Sequence, residues 1–231
     1  MKHFKILLFL FLPLITFTQI DQSKMGAWYM YFFNTSHKSG SIGFQGDIQH
    51  RNWNFIGDLE QLLLRGGLTF KPKNEKVKFT LGYGNISTGT YGENNSVTNE
   101  SRIYQEVLFP NTFFNRLYFT HRFRYEQRFL KEQTLRTRYR YNLFLNIPIN
   151  QPTMQKNTVY LALYNELFIN GQKEVNGVQT VEFFDRNRLY AAIGYCINDQ
   201  LKIQIGMMNQ RTNNWGKNQL QFSIHHVFQG I

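Results

Sequence analysis

The sequence predicts an all-β protein, an antiparallel up-and-down transmembrane β-barrel, on three observations. The N-terminus has the layout of an export signal, and the rest of the chain contains no apolar run long enough for a membrane helix. Apolar and polar residues instead alternate over segments of about 10 to 14 residues, enough for a tilted strand to cross a bilayer. Aromatic residues make up 16% of the chain, which also favours a membrane barrel over a soluble one.

Residues 1–18 are predicted to be a secretory signal peptide. Lys2 and Lys5 give a positive start, and the apolar run that follows, residues 6–17, is too short to span a membrane as a helix. We place cleavage between Thr18 and Gln19, which leaves residues 19–231 as one barrel domain. A buried N-terminal helix is the alternative interpretation of this segment.

Arginines spaced two apart are the clearest strand signal in the chain. Between residues 116 and 140 they alternate with phenylalanine, tyrosine and leucine, in two segments separated by a short polar stretch at 131–133. A helix would scatter these arginines around its circumference, whereas a period of two collects them on one face. The pattern predicts two adjacent strands with a charged inner face and an apolar outer face.

Similar alternation recurs along the whole chain. Eleven segments have it, and they start near residues 26, 41, 56, 77, 100, 115, 134, 158, 183, 201 and 217. Because bacterial single-chain barrels close with an even number of strands, we expect twelve strands, with ten as the alternative. We expect the longest loops, 87–101, 171–183 and 211–218, on the outer side, with the C-terminus on the periplasmic side. A soluble barrel or sandwich would need the opposite arrangement, with arginines outside and apolar residues within.

Several short motifs point to a family. They are RNW at 51–53, RYEQR at 124–128, NE at 165–166 and FDRNR at 184–188. On these motifs the chain resembles the domain-of-unknown-function 2490 family over nearly all of residues 19–231. The resemblance implies a secreted protein of Gram-negative bacteria that forms an outer-membrane β-barrel. It implies no activity, because none is assigned to the family.

The charged face is predicted to line the lumen. The expected lumen or anion-lining residues are Arg122, Arg124, Arg128, Arg136, Arg138, Arg140, Arg186 and Arg188. The expected counter-charges are Asp47, Glu126, Glu166 and Asp185. Buried guanidiniums need such partners, so one expectation is a structural ladder of ion pairs that holds the barrel shut. The other is a narrow pore or pocket that favours anions, because basic residues outnumber acids on this face.

An outer-membrane lipid hydrolase or deacylase is the alternative function. Its candidate residues are Ser223 with His225 or His226, and His121. Ser223 and His225 share a strand face, but that face is the predicted lumen, whereas lipid substrates arrive from outside. We therefore expect no catalytic residue. We expect no cofactor either, and no metal site, because the histidines lack ligand spacing.

The formal net charge of +11 raises the question of partners. Nucleic acid is rejected, because the chain is predicted to be exported and lacks a recognition motif. We expect outer-membrane lipids as partners, and lipopolysaccharide phosphates near basic residues at strand ends or loops. Those residues are Lys24, Lys38, Arg51, Lys173, Arg211 and Lys217. The barrel-assembly machinery is a further expected partner, although the final aromatic, Phe228, is followed by three more residues. The sequence predicts no oligomeric state.

Overall fold

The computed structural model describes residues 24–35, 42–92, 96–177 and 179–229. The predicted signal peptide lies outside these residues. Within the described part of the chain, no helical segment has the length and apolar character required to cross a bilayer.

The described elements are all β-strands, and most are long enough to form the wall of a barrel. Eleven of them do so, whereas β9 and β10 form a small separate hairpin. Their bounds are β1 Gly26–Thr35, β2 Ile42–Asn52, β3 Leu59–Phe70, β4 Lys78–Gly89, β5 Val97–Phe113, β6 Leu117–Leu130, β7 Arg136–Pro148, β8 Val159–Asn170, β9 Glu174–Val175, β10 Gln179–Thr180, β11 Phe184–Cys196, β12 Leu201–Arg211 and β13 Gly216–Phe228.

The barrel closes with eleven strands, not the expected twelve or ten. Each of the eleven alternating segments found in the sequence corresponds to one wall strand, so none was missed or merged. Neighbours along the wall pair antiparallel, but β1 pairs parallel with β13, with Trp28 opposite Gln221. An odd number of strands that alternate in direction leaves the first and last running the same way. The barrel sheet is therefore antiparallel except between β1 and β13, which pair parallel.

The two ends of the barrel differ in the connections that they carry. The N-terminal mouth, where β1 begins, has the connections at 53–58, 90–96, 131–135, 171–183 and 212–215. The C-terminal mouth is where β13 ends. The three loops that we expected on one side do lie together, at the N-terminal mouth. The loop predicted at 87–101 is shorter, because β4 continues to Gly89 and β5 begins at Val97.

Polar residues fill the barrel and apolar residues cover it, as the alternation predicts. Buried charged residues include Glu126 and Arg138, whose exposed fractions are 1% and 4%. Large apolar residues on the opposite faces are exposed, for example Leu68 at 68% and Ile205 at 50%. A barrel or sandwich with an apolar core would have the reverse distribution, which the described residues do not show.

Towards the C-terminal mouth the lumen contains an aromatic and sulfur-rich cluster. Tyr160, Tyr190 and Met208 are buried there, and Tyr164 stacks on Tyr190 with ring centroids 4.6 Å apart. Met154, in the connection between β7 and β8, packs against the same cluster. That connection therefore covers part of the lumen at this mouth.

Candidate functional site: an arginine-lined lumen

The pairing of β6 with β7 brings the predicted arginines together. Arg124 lies opposite Arg140, and Arg128 lies opposite Arg136, while Glu126 lies opposite Arg138. Like charges directly opposite each other on a sheet destabilise it, so these pairs require carboxylates between them. The lumen provides such carboxylates from the same strands and from their neighbours.

Glu126 is the centre of the charge network. Its carboxylate accepts hydrogen bonds from Arg138 Nη2 at 2.8 Å and from Arg140 Nη1 at 2.6 Å. Guanidinium nitrogens of Arg102 and Arg124 lie 3.7 and 3.8 Å from its oxygens. One buried carboxylate thus contacts four arginines on three strands.

Glu166 and Asp185 extend the network to β8 and β11. Glu166 accepts a hydrogen bond from Arg122 Nη2 at 2.6 Å and one from Arg140 Nε at 2.9 Å. Asp185 accepts one from Arg138 Nη1 at 2.9 Å and also pairs with Arg186 at 3.2 Å. Arg138 and Arg140 each bridge two carboxylates, so the ion pairs are continuous from β6 to β11.

Ion pairs on the other side of the lumen include residues that the sequence reading missed. Glu100 pairs with Arg128 at 2.6 Å and also with Arg102. Glu106 accepts a hydrogen bond from Arg124 Nε at 2.7 Å. The alternation of Glu100, Arg102 and Glu106 at even positions was a usable signal. The polar stretch before it is typical of a long loop and obscures this signal.

Arg65 was also missed, and it pairs with Asp47 at 3.0 Å. All four predicted counter-charges are therefore in ion pairs within the lumen. Seven of the eight predicted arginines have a carboxylate oxygen within 4 Å: Arg122, Arg124, Arg128, Arg138, Arg140, Arg186 and Arg188. Arg136 lies on the same face at the N-terminal mouth, half-buried opposite Arg128, without an ion pair to the described residues.

Two aromatic rings hold the guanidiniums in position. The Phe168 ring centroid lies 4.5 Å from the Arg140 guanidinium carbon and 4.7 Å from that of Arg188. The Trp28 ring lies 4.8 Å from Arg188 and 3.8 Å from Arg51. Such cation–π contacts stabilise a desolvated guanidinium and restrict its orientation.

A cavity of about 270 Å³ lies among these arginines on the side of the N-terminal mouth. Eight arginines line it together with a single carboxylate, that of Glu100. The arginines are Arg51, Arg65, Arg102, Arg128, Arg138, Arg140, Arg186 and Arg188. We call this cavity the arginine vestibule. The lining residues therefore carry an excess of positive charge, part of which is balanced by carboxylates of the network that pair with the same arginines.

Two basic residues expected at the surface lie in the lumen instead. Arg51 is 5% exposed and Lys217 is 1% exposed. Arg51 is in phase with the inward-facing Asp47 and Gln49, and Lys217 with the inward-facing Gln219. Each lies near the end of its strand, where the alternation of inward-facing and outward-facing residues is hard to recognise from the sequence. Of the other expected surface residues, Lys38 lies outside the described residues, and the remaining ones are exposed: Lys24, Lys173 and Arg211.

The structure brings Ser223 and His225 together, with Oγ and Nε2 3.0 Å apart. Both lie on the inner face of β13, and the His225 ring stacks on Phe32 with centroids 4.9 Å apart. In the described part of the chain, no carboxylate hydrogen-bonds His225, so the pair lacks a third member. His226 and His121 hydrogen-bond tyrosines and do not join it. Among the described residues, no group of three potential ligands could hold a metal ion.

Comparison with protein families decides what the chain is. Residues 25–221 match the family described as protein of unknown function DUF2490. The chain belongs to the DUF2490 family. The match begins just before β1 and ends within β13, so the DUF2490 domain is the barrel itself. Neither the curated proteins nor the solved structures give a match. The DUF2490 description carries no activity.

Proposed function

We propose that this protein is an integral outer-membrane β-barrel whose lumen is held shut by its arginine–carboxylate network. On this proposal it is a structural scaffold, not an open diffusion pore. The observation that carries the proposal is the distribution of side chains, apolar outside and charged inside.

The outer surface supports a lipid environment. Each wall strand from β2 onward exposes at least one large apolar side chain, and β1 directs tyrosine and phenylalanine outward. Soluble monomers rarely expose contiguous apolar patches larger than a few hundred Å², and this surface surrounds the barrel. A hydrocarbon environment removes the cost of exposing it. The predicted export signal and the DUF2490 resemblance favour the outer membrane of a Gram-negative cell. In that membrane, a periplasmic C-terminal mouth would direct the arginine vestibule outward.

The contents of the lumen support a closed state. Near Glu126 and Glu166, ion pairs between neighbouring strands from β5 to β8 place charged side chains in the lumen. Gln45 of β2 also donates a hydrogen bond to Glu106 of β5 at 2.7 Å. Beyond them, towards the C-terminal mouth, lie the tyrosine and methionine cluster and Met154 from the covering connection. Small barrels have interiors that side chains can fill, which fits these two layers. Water and solutes would have to displace both layers to cross.

Fractionation and conductance together test the proposal. We expect the protein in the outer-membrane fraction, resistant to extraction with alkaline carbonate. The purified protein in planar bilayers should give no stepwise conductance, whereas an open porin reconstituted in the same way should. Recovery in the soluble periplasmic extract would contradict the membrane location. Regular channel openings would contradict the closed lumen.

The arginine vestibule favours one alternative function for the lumen, a narrow pore selective for anions. Tyr160 is buried in the cluster that blocks the other half of the lumen. If that cluster is the only barrier, Tyr160→Ala should produce anion-selective conductance that the wild type lacks. If the lumen is held shut by the ion pairs around Glu126, as we propose, the Tyr160→Ala variant should show no conductance either.

We propose no catalytic role for Ser223 and His225, which we regard as polar lumen lining. Ser223→Ala should leave any lipid deacylase or phospholipase activity of the purified protein unchanged. Loss of a measurable activity in this variant would support the hydrolase alternative instead.

A further inference from the structure

We infer that the arginine vestibule is a binding site for a small phosphomonoester, a ligand with a dianionic phosphate group. The inference rests on the proposed function only for the direction from which the ligand arrives. The binding chemistry depends on the vestibule alone. Three of its arginines carry the argument: Arg51, Arg186 and Arg188.

Among the described residues, these three arginines have few carboxylates in direct contact. The buried carboxylate of Glu60 interacts electrostatically with all three, but it accepts a hydrogen bond from Trp28 and pairs with none of them within 4 Å. Arg51 donates to the amide oxygens of Gln49 at 2.6 Å and Gln61 at 2.9 Å, and no carboxylate of the described residues lies within 4 Å of it. Arg188 donates to Gln210 at 2.7 Å, and its nearest carboxylate oxygen, on Glu166, is 3.8 Å away. A neutral amide accepts a hydrogen bond but does not neutralise a guanidinium.

In the described part of the chain, Arg186 has one carboxylate partner, Asp185, at 3.2 Å, and Asp185 also pairs with Arg138. Arg51 and Arg188 are buried without a carboxylate at hydrogen-bond distance, so an anion between these arginines would stabilise the barrel as well as bind to it.

The guanidiniums are held in position for such a ligand. Trp28 contacts Arg51 and Arg188, and the indole Nε1 donates to Glu60 at 2.8 Å, which fixes the ring. Phe168 also contacts Arg188, at 4.7 Å, and lies 6.0 Å from Arg186. Side chains that are already ordered lose little conformational entropy when a ligand binds. The two rings thus connect Arg51 of β2 with Arg188 and Arg186 of β11.

Phosphate chemistry fits this wall better than a carboxylate does. The guanidinium fork matches phosphate and carboxylate oxygens bidentately. A phosphomonoester offers three terminal oxygens and two negative charges, so it can engage three arginines at once, whereas a carboxylate has two oxygens and one charge. The volume of about 270 Å³ lies just below the range of about 300–1,000 Å³ for typical small-molecule sites. The ligand is therefore small, of the size of a sugar phosphate, with Leu63 and Phe168 available to its carbon skeleton.

Two sources could supply this chemistry, a soluble phosphomonoester or the phosphorylated headgroup of a lipid. Calorimetry on the refolded full-length protein in detergent tests the site with three probes: inorganic phosphate, glucose 6-phosphate and, as a neutral control, glucose. We expect saturable 1:1 binding of glucose 6-phosphate and of phosphate, weaker at higher salt, and none of glucose. Competition between glucose 6-phosphate and micelles that contain lipopolysaccharide distinguishes the sources. Displacement by the micelles identifies a headgroup, and its absence identifies the soluble ligand.

Substitutions of single arginines test whether the ligand binds in the vestibule. Arg51→Gln and Arg188→Gln should each weaken glucose 6-phosphate binding at least tenfold, and Arg188→Lys should lose less. Arg211→Gln is the matched control, because Arg211 is an exposed arginine at the same mouth outside the vestibule. Heat-modifiable migration in gels verifies that each variant is folded. No saturable binding by the folded wild type, or an equal loss in Arg211→Gln, would overturn the inference.

The two proposals can fail separately. A protein that fractionates as soluble but binds glucose 6-phosphate through Arg51 and Arg188 contradicts the membrane scaffold and supports the site. A protein that fractionates with the outer membrane and binds neither phosphate probe contradicts the site alone.

Discussion

Replacing Glu126 with glutamine tests the charge network at its centre. The substitution keeps the shape of the side chain, so it creates no cavity, but it removes the negative charge that contacts Arg102, Arg124, Arg138 and Arg140. Removal of one partner from a buried ion pair costs about 3–5 kcal/mol, because the remaining charge is uncompensated. With a denaturant slope of about 3 kcal/mol per M in urea, the unfolding midpoint should fall by about 1–2 M.

The assay is equilibrium unfolding of the refolded barrel in detergent, followed by tryptophan fluorescence. Glu132→Gln is the matched control. It makes the same chemical change at an exposed ion pair with Lys131, and such pairs contribute little. A midpoint for Glu126→Gln within the range of this control would refute the view that the network holds the barrel together.

Three further predictions concern the lumen and the wall. Phe168→Ala should lower the free energy of unfolding by about 3–5 kcal/mol in the same assay, since the ring is buried among guanidiniums, whereas Leu189→Ala on the outer face should change it far less. Gly82→Val should reduce the yield of folded barrel measured by heat-modifiable migration, because a Cβ at this position would overlap the tyrosine ring opposite it on β5. Ile205→Arg, near the middle of an exposed strand face, should cost about 2–4 kcal/mol in lipid vesicles, against about 0–1 for Ile42→Arg at a strand end. Equal costs for these two arginine substitutions would contradict a membrane-embedded wall.

The strands could be predicted from the sequence because their signal is local. Each segment shows its own period of two, and the predicted starts near 115 and 134 lie close to Leu117 and Arg136, where β6 and β7 begin. The same period predicts which side chains face inward, including the arginines of both strands. The predicted number of strands, twelve or ten, was wrong for a different reason. The sequence shows eleven alternating segments, and the expectation of twelve strands follows only from the general rule that bacterial barrels close with an even number.

The sequence predicts ion pairs in the lumen but not which residues pair, because the partners depend on register and, for some pairs, on strands that are not adjacent. Arg122 on β6 reaches Glu166 on β8 across the intervening strand, and no spacing in the sequence encodes that contact. Glu60 is a second case. Its neighbours on even positions of β3 face outward, but a register shift at Arg51 and Asn52 turns Glu60 towards Trp28. Irregularities of this kind have no signature in the alternation.

The parallel pairing of β1 with β13 limits the order in which the fold can form. Antiparallel neighbours along the wall can zip from the turn that joins them, but no turn joins strands at the two ends of the chain. Bringing them together costs the loop-closure entropy of almost the entire domain, and contacts so distant in sequence form slowly. We therefore expect an open, curled sheet as the last intermediate, with the contact between Trp28 and Arg188 completed only when its two edges meet.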